Sequence, residues 1–329
     1  MAQGSRRGPS QRGTRLQARL FAFSCASMIV LLASLLAVGA AEIGHTVLNN
    51  GVRMPMLAVQ PEKYAPEDIG PIVSMALQTG ITGIDAATFE QCQVRVGAAL
   101  KEVPRNSYFL TAGIMLEQNI SSSSAYATAA DLLQATLTNL GVQNVDVMVL
   151  SRPATTCRSI QEQWRAMEDF YVAGNARAIG LRVFCPASLK CIMDTARVAP
   201  ALNQLFYHVG MGVDPEGFKS AFNESGTITQ SIRALDSGEL VSGKLVTSIG
   251  KAHGWSGAQV SMRWVLDQGV PLSTPMSKQS HMKEALAIFQ GRLTPSELRQ
   301  LDSATSPEDY PVFGPSSKAC PPLEEFMLV

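Results

Sequence analysis

Carboxylate side chains occur where a short apolar run ends, which is where an α/β protein could place acid–base chemistry. Asp85 closes the run Gly83–Asp85, and Glu90 follows five residues later. A carboxylate in apolar surroundings can have a raised pKa and exchange a proton near neutral pH. Asp85 could instead brace the loop after its strand, and Glu90 could be a solvated loop residue. Both interpretations stay open at the level of sequence.

Thiols occur at comparable positions. Cys92, Cys157 and Cys185 each follow a predicted strand, while Cys191 and Cys320 lie elsewhere in the body of the chain. These five cysteines are an odd number without CxxC spacing, so they indicate neither a zinc site nor a defined disulfide framework. A disulfide and scattered free thiols remain open alternatives. We expect no metal site.

The elements that must position these side chains alternate between strands and helices. Eight short apolar runs are predicted strands: Met56–Val59, Gly83–Asp85, Tyr108–Ile114, Val145–Leu150, Ala176–Leu181, Leu202–Leu205, Thr227–Ile232 and Pro271–Ser273. Helical patterns lie between them, and one such pattern is a single helix over Leu240–His253. A small hairpin over His45–Met56, turning at Asn49-Asn50-Gly51, precedes the first strand.

Strands that alternate with helices imply a parallel sheet buried on both faces. Eight such units fit a (β/α)8 TIM barrel. The doubly wound alternative usually has a GxGxxG turn after its first strand, where this chain reads Gln60-Pro61-Glu62-Lys63. Barrel chemistry lies at the carboxyl ends of the strands. We therefore expect six residues around one mouth: Asp85, Glu90, Gly113, Ser151, Arg182 and Gln204.

Composition excludes several classes of protein. The chain has 329 residues, of which 46% are hydrophobic and 16% charged, with a formal net charge of +0. These values exclude wholesale disorder, a collagen-like fibre and a polytopic membrane protein. No basic patch is visible for phosphate backbones, so we expect no nucleic-acid partner. The predicted barrel covers residues 42–306, and a Pro-rich tail covers 307–329.

An apolar segment precedes the barrel. Leu20–Ala41 carries no charge, and the five arginines of residues 1–41 all lie before it. As a hydrophobic helix it is long enough to cross a bilayer, and the arginines should stay cytosolic. It could be an uncleaved signal anchor, a signal peptide cleaved after Ala40 or Ala41, an organelle presequence, or an ordinary buried helix. These features predict a membrane-anchored or secretory-pathway location, with residues 20–41 in the membrane.

Several sequence blocks, taken together, resemble the aldo-keto reductases. The blocks are LNNGVRMP (48–55), ALQTGITGIDAA (76–87), VGAALKEVPR (96–105), NVDVMVL (144–150), WRAMEDFYVAGNARAIGL (164–181), NQLFYH (203–208), AQVSMRWVLDQGV (258–270) and LTPSEL (293–298). They follow the family's order from about residue 46 to 305. The resemblance implies an (α/β)8 barrel that uses NADPH to reduce carbonyls.

The resemblance also implies four catalytic positions. In the family a Tyr donates the proton, a Lys and an Asp lower the pKa of that Tyr, and a His orients the carbonyl. A phenol with a pKa near 10 needs such help to act at neutral pH. These positions hold Glu90 for the Tyr, Gly113 for the Lys, Asp85 for the Asp and Ser151 for the His. Only Asp85 keeps the family's residue type.

Cofactor positions differ as well. The family's Ser and Asn that bind the nicotinamide amide correspond to Arg182 and Val183, while the Gln survives as Gln204. The clamp for the adenosine phosphate corresponds to Ser277, with Lys278 displaced by two positions. NADP(H) is thus implied by the resemblance, with its binding weakened.

Two functions follow from this comparison. The first is an aldo-keto reductase-like protein with impaired catalysis, a pseudoenzyme. The second is a divergent NADPH-dependent carbonyl reductase that uses other mouth residues, such as Glu90. The expected partner is a small carbonyl compound or none.

Overall fold

The computed structural model describes residues 1–2, 4, 43–235 and 238–304. The chain divides into two units, Met1–Glu42 and Ile43–Val329, and the barrel belongs to the second. The apolar segment at 20–41 and the Pro-rich tail at 307–329 lie outside the described residues.

Eight parallel strands close into a barrel, which confirms the (β/α)8 prediction. The strands are β3 (Leu57–Val59), β4 (Gly83–Asp85), β5 (Phe109–Met115), β6 (Val145–Ser151), β7 (Ala176–Arg182), β8 (Leu202–Phe206), β9 (Ile228–Ile232) and β10 (Leu272–Thr274). Strand β10 pairs with both β3 and β9 and so completes the ring. Because the ring is closed, the barrel has no unpaired edge strand.

Helices surround the strands. They are α1 (Pro66–Thr79), α2 (Glu90–Leu100), α3 (Ser122–Leu140), α4 (Cys157–Val172), α5 (Pro186–Met193), α6 (Phe218–Glu224), α7 (Glu239–Ser242), α8 (Lys244–His253), α9 (Gly257–Asp267), α10 (Gln279–Ala287) and α11 (Pro295–Asp302). Helix α9 begins with a capping box of Ser256 and Gln259, and α11 with one of Thr294 and Glu297. Such boxes satisfy backbone N–H groups that a helix start leaves without partners.

A hairpin closes the base of the barrel. Strands β1 (His45–Val47) and β2 (Arg53–Pro55) pair antiparallel, with Gly51 at φ 85° in the turn. Leu48 and Met54 of the hairpin pack against barrel residues such as Phe109. With the base covered by apolar side chains, the carboxyl ends of the strands form the open mouth.

The strand register brings the expected site residues to that mouth. Asp85 pairs with Thr111, and Ser151 pairs with Met115 on one side and Arg182 on the other. Arg182 in turn pairs with Gln204. The carboxyl ends of β4, β6, β7 and β8 therefore lie at one end of the barrel.

One predicted helix is divided. The pattern over Leu240–His253 forms two helices, α7 and α8, with Gly243 between them at φ −58° and ψ 150°. Gly243 has extended backbone, so the helical hydrogen bonds are interrupted there.

No helix among the residues in 43–235 and 238–304 is both long enough and apolar enough to cross a membrane. The segment that led to the membrane prediction, residues 20–41, is outside these ranges.

Close packing of α2 on α3 predicts opposite effects of two glycine substitutions. A Cβ at Gly97 would lie 2.5 Å from the carbonyl oxygen of Leu140, which is backbone and cannot rotate away. We expect Gly97→Ala to lower the free energy of unfolding by about 1–3 kcal/mol in urea titrations. The matched control is Gly70→Ala in α1, where the nearest atom is 3.9 Å away. It should raise stability by about 0.5–1 kcal/mol. Equal effects of the two would contradict the close contact.

Candidate functional site

The Asp85 carboxylate lies at the centre of the barrel mouth and is 1% exposed. Its Oδ2 accepts hydrogen bonds from Gln60 Nε2 at 3.2 Å, Gln204 Nε2 at 2.9 Å and Ser273 Oγ at 2.7 Å. Its Oδ1 accepts one from the backbone N–H of Ala87 at 3.0 Å. Four donors thus compensate a buried charge that would otherwise be costly. The structure brings Asp85 and Gln204 together, as the sequence predicts.

A buried ion pair lies beside this network. Arg182 Nη2 donates to Glu62 Oε1 at 2.7 Å, and Arg182 Nη1 donates to Gln204 Oε1 at 3.3 Å. Only about a tenth of the Arg182 side chain is exposed. The Gln204 amide also donates to Gln230 Oε1 at 3.0 Å. Gln204 therefore shares its amide group among three protein side chains.

Burial raises the pKa of the Glu62 carboxyl above its ordinary value. The Arg182 guanidinium opposes this rise, and the charge of Asp85 adds to it. The second carboxylate oxygen, Oε2, is buried and has no hydrogen-bond partner in the part of the chain that the structure describes. A carboxyl in this condition holds its proton more tightly than one in water.

Four non-glycine residues at the mouth adopt left-handed backbone. Arg152 (φ 60°), Val183 (φ 60°) and Arg233 (φ 63°) each directly follow a barrel strand, and Ala87 (φ 53°) lies two residues after β4. This conformation costs roughly 1–3 kcal/mol for each residue other than glycine. Its concentration at one end of the barrel is the pattern expected of a functional site.

A cavity of about 350 Å³ opens above the ion pair. It is lined by Glu62, Thr88, Phe89, Met115, Gln118, Ser151, Arg152, Arg182, Val183, Phe206 and Arg233. Arg233 places its guanidinium 4.6 Å from the centre of the Phe206 ring. Of the residues that the structure describes, three arginines and one carboxylate therefore surround an opening with aromatic walls.

Position 113, where the family's Lys would stand, has no room for a side chain. A Cβ on Gly113 would lie 2.6 Å from Val149 Cγ2 and 2.9 Å from the carbonyl oxygen of Val149. Thr88 Cγ2 would be 3.0 Å away. A lysine therefore cannot be introduced there unless its neighbours move.

Other predicted site residues lie apart from the cavity. Glu90 is the exposed first residue of α2, and Ser277 and Lys278 precede α10. None of the three lines the cavity. Ser151 does line it and is 4% exposed.

Two of the cysteines form a disulfide. Cys157 and Cys191 are bonded, with their Cα atoms 5.2 Å apart, and this bond joins the start of α4 to α5. Cys92 is the free thiol of the described residues, and burial raises its pKa to about 12. A thiol with that pKa is protonated at neutral pH and is a poor nucleophile.

Sequence reasoning missed three residues of this site. Glu62, Arg152 and Arg233 line the cavity, but none was proposed as a site residue. Arg233 directly follows a predicted strand and Arg152 lies two residues beyond one, so the strand-end rule applied to every nearby charged residue would have found them. Glu62 lies three residues beyond β3, so the strand-end rule indicates it less clearly.

Comparison with known proteins identifies the family. The model of the aldo/keto reductase family matches residues 54–306, which is most of the chain. The chain belongs to the aldo/keto reductase family. An aldo-keto reductase of Mycolicibacterium vanbaalenii is 27% identical over 265 residues, which cover 80% of this chain and 92% of that protein. A glyoxal reductase of Bacillus subtilis is 26% identical over 268 residues, covering 79% and 92%.

Solved structures agree on the fold. The crystal structure of an aldo/keto reductase from Brucella melitensis superposes with a TM-score of 0.70 at 22% sequence identity. The match covers 79% of this chain and 99% of that protein. At this identity the likeness establishes the aldo-keto reductase barrel and does not extend to activity.

The prediction of a membrane-anchored or secretory-pathway location is wrong. It depended on an apolar segment, and no helix of the described residues could span a membrane. The similar reductases are bacterial proteins, and the match covers nearly all of their length. The error arose because the prediction rested on the length and apolarity of one segment. It gave too little weight to the similarity of the remaining chain to this family.

The hydrogen bonds of Asp85 predict that replacing its carboxylate with an amide of the same shape will lower the stability of the fold. In Asp85→Asn an amide NH₂ would replace one acceptor oxygen and oppose the donors of Gln60, Gln204 or Ser273. We expect the free energy of unfolding to fall by about 1–3 kcal/mol in chemical denaturation. Asp131→Asn, on the exposed face of α3, is the matched control and should change it by less than about 0.5 kcal/mol. An unchanged Asp85→Asn would contradict the bracing role.

The raised pKa of Glu62 determines the sign of a pH effect. Because the folded state binds this proton more tightly than the unfolded chain, the contribution of Glu62 to stability is complete below pH 4.5. It is lost as the pH rises through the folded pKa. The free energy of unfolding of the wild type, minus that of Glu62→Gln, should therefore fall as the pH rises above 4.5. A rise instead would mean that the attraction of Arg182 outweighs burial.

Proposed function

We propose that this chain is a non-catalytic member of the aldo/keto reductase family, a barrel that does not reduce carbonyls with NADPH. The observation that carries the proposal is the Arg182–Glu62 ion pair at the mouth. Arg182 in this pair also donates a hydrogen bond to Gln204. These side chains hydrogen-bond to one another at the positions where the resemblance implies hydrogen bonds to a nicotinamide.

The residues present do not fit a nicotinamide carboxamide. Gln204 Nε2 donates to Asp85 and Gln230, so neither amide hydrogen is left for a ligand. Val183 replaces a polar residue with an apolar one. Arg182 replaces a Ser with a side chain that reaches across to Glu62 at 2.7 Å. Binding the cofactor would require the ion pair and the Gln204 bonds to break together.

The proton-donor machinery supports the same proposal. At the position of the family's Tyr, Glu90 is exposed and outside the cavity lining. Gly113 has no space for a lysine. Loss of a positioned general acid removes a rate factor of typically about 10² to 10⁴. Without the His as well, substrate orientation loses a further contribution.

A divergent reductase is the second candidate, favoured by the named activities of the relatives. In such an enzyme Glu62 would be a better proton donor than Glu90, because it lines the cavity and burial raises its pKa. The two candidates differ in one measurable property, which is whether the native chain binds NADPH.

Titration with NADPH tests the proposal. We expect no saturable quenching of Trp fluorescence by the native protein up to about 1 mM, the upper end of ordinary enzyme affinities. The same protein should show no NADPH-dependent reduction of glyoxal or simple aldehydes. The double variant Arg182→Ser, Val183→Asn should gain measurable binding, because it frees Gln204 Oε1 from Arg182 and restores two polar groups.

Two results would overturn the proposal. One is saturable NADPH binding by the native chain at micromolar concentration. The other is aldehyde turnover that Glu62→Gln abolishes and the matched exposed variant Glu90→Gln leaves intact, which would establish the divergent reductase.

A further inference from the structure

We propose that the cavity at the barrel mouth binds a small organic anion, a carboxylate or phosphate group on a compact apolar body. Arg152 is the main anchor of this anion. The inference assigns the mouth a ligand of its own and goes beyond the loss of hydride chemistry.

The first support is a guanidinium without a protein partner. Arg152 lines the cavity and is exposed, and its side chain has no hydrogen bond or ion pair within the described ranges 43–235 and 238–304. This contrasts with Arg182, which is paired with Glu62. A guanidinium presents a planar fork of donors that matches carboxylate and phosphate oxygens.

The second support is the balance of charge around the cavity. Among the described residues that line it, three are arginines (Arg152, Arg182 and Arg233) and Glu62 is the one carboxylate. Glu62 already binds Arg182, so it does not cancel the field of Arg152 at the opening. Clefts lined by one sign of charge concentrate ligands of the opposite sign.

The apolar lining limits the kind of anion. Phe89 is 52% exposed beside the cavity, although aromatic side chains are usually buried. Phe206 and Met115 add further apolar surface. At about 350 Å³ the cavity is near the lower end of ligand pockets. A compact body that covers Phe89 and carries one anionic group fits these features.

The left-handed backbone at Arg152 offers a separate line of support. A glycine would adopt φ 60° without strain, yet the position holds an arginine that lines the cavity. Arg152→Gly should therefore retain or raise the melting temperature while it removes the anchor. A purely structural arginine would give a lower melting temperature when removed.

Calorimetric titration at low ionic strength tests the proposal, with benzoate, acetate, inorganic phosphate and neutral benzamide as probes. We expect benzoate to bind saturably, acetate to bind more weakly, and benzamide to bind at least about tenfold more weakly than benzoate, a difference of about 1.4 kcal/mol. Arg152→Gln and Arg152→Gly should each weaken benzoate at least about tenfold, and Arg152→Lys should weaken it less. Phosphate binding that exceeds benzoate binding would identify phosphate as the anionic group, with the same dependence on Arg152.

Arg53→Gln is the matched control. Arg53 is an exposed arginine of β2 that lines a separate groove of about 650 Å³ at the base of the barrel. Its replacement should leave benzoate binding unchanged. Loss of binding in Arg53→Gln, equal affinity for benzamide and benzoate, unchanged binding in Arg152→Gln, or no saturable binding of any anion would each overturn the proposal.

A parallel titration with NADPH keeps the two proposals separate. If NADPH binds and displaces benzoate, the proposal of a non-catalytic barrel fails while the anion site stands. If neither ligand binds, the anion site fails and the non-catalytic proposal stands.

Discussion

The Asp85 carboxylate holds the mouth of this barrel together. Its four donors come from the segments after β3 and β4 and from strands β8 and β10, so one buried group joins elements that are far apart in the chain. A buried charge is tolerated only when its hydrogen bonds are complete. The arrangement of the surrounding side chains follows from that requirement.

Arg182 and Glu62 extend the same constraint outward. Once Gln204 donates both amide hydrogens, its oxygen is left as an acceptor, and Arg182 takes that position. The remaining charge of Arg182 then requires a carboxylate, which Glu62 supplies across the mouth. Buried ion pairs add little net stability but cost much when one partner is removed. The pair therefore defines the geometry of the mouth more than it stabilises the fold.

Much of the fold could be predicted from the sequence because strand and helix patterns are local. The predicted strand Gly83–Asp85 agrees with β4 at both ends, and Met56–Val59 differs from β3 by one residue. The site was harder to predict. Glu62 and Arg182 are 120 positions apart, and no local pattern reports a side-chain pair across a barrel. A disulfide was left open by the sequence, but the pairing of Cys157 with Cys191 could not be predicted for the same reason, since Cys191 lies within a helix and was not among the cysteines that follow strands.

The packing around Gly113 has an evolutionary consequence. Val149 and Thr88 have taken the space where a longer side chain would begin. A mutation that restores such a side chain would be harmful until Val149 had become smaller and its backbone had shifted, and a smaller Val149 alone would leave a cavity beneath β5. Each step of the reversal is therefore disfavoured when taken singly. If the chain descends from a reductase with a lysine at this position, loss of the lysine would be easy and its return would be blocked.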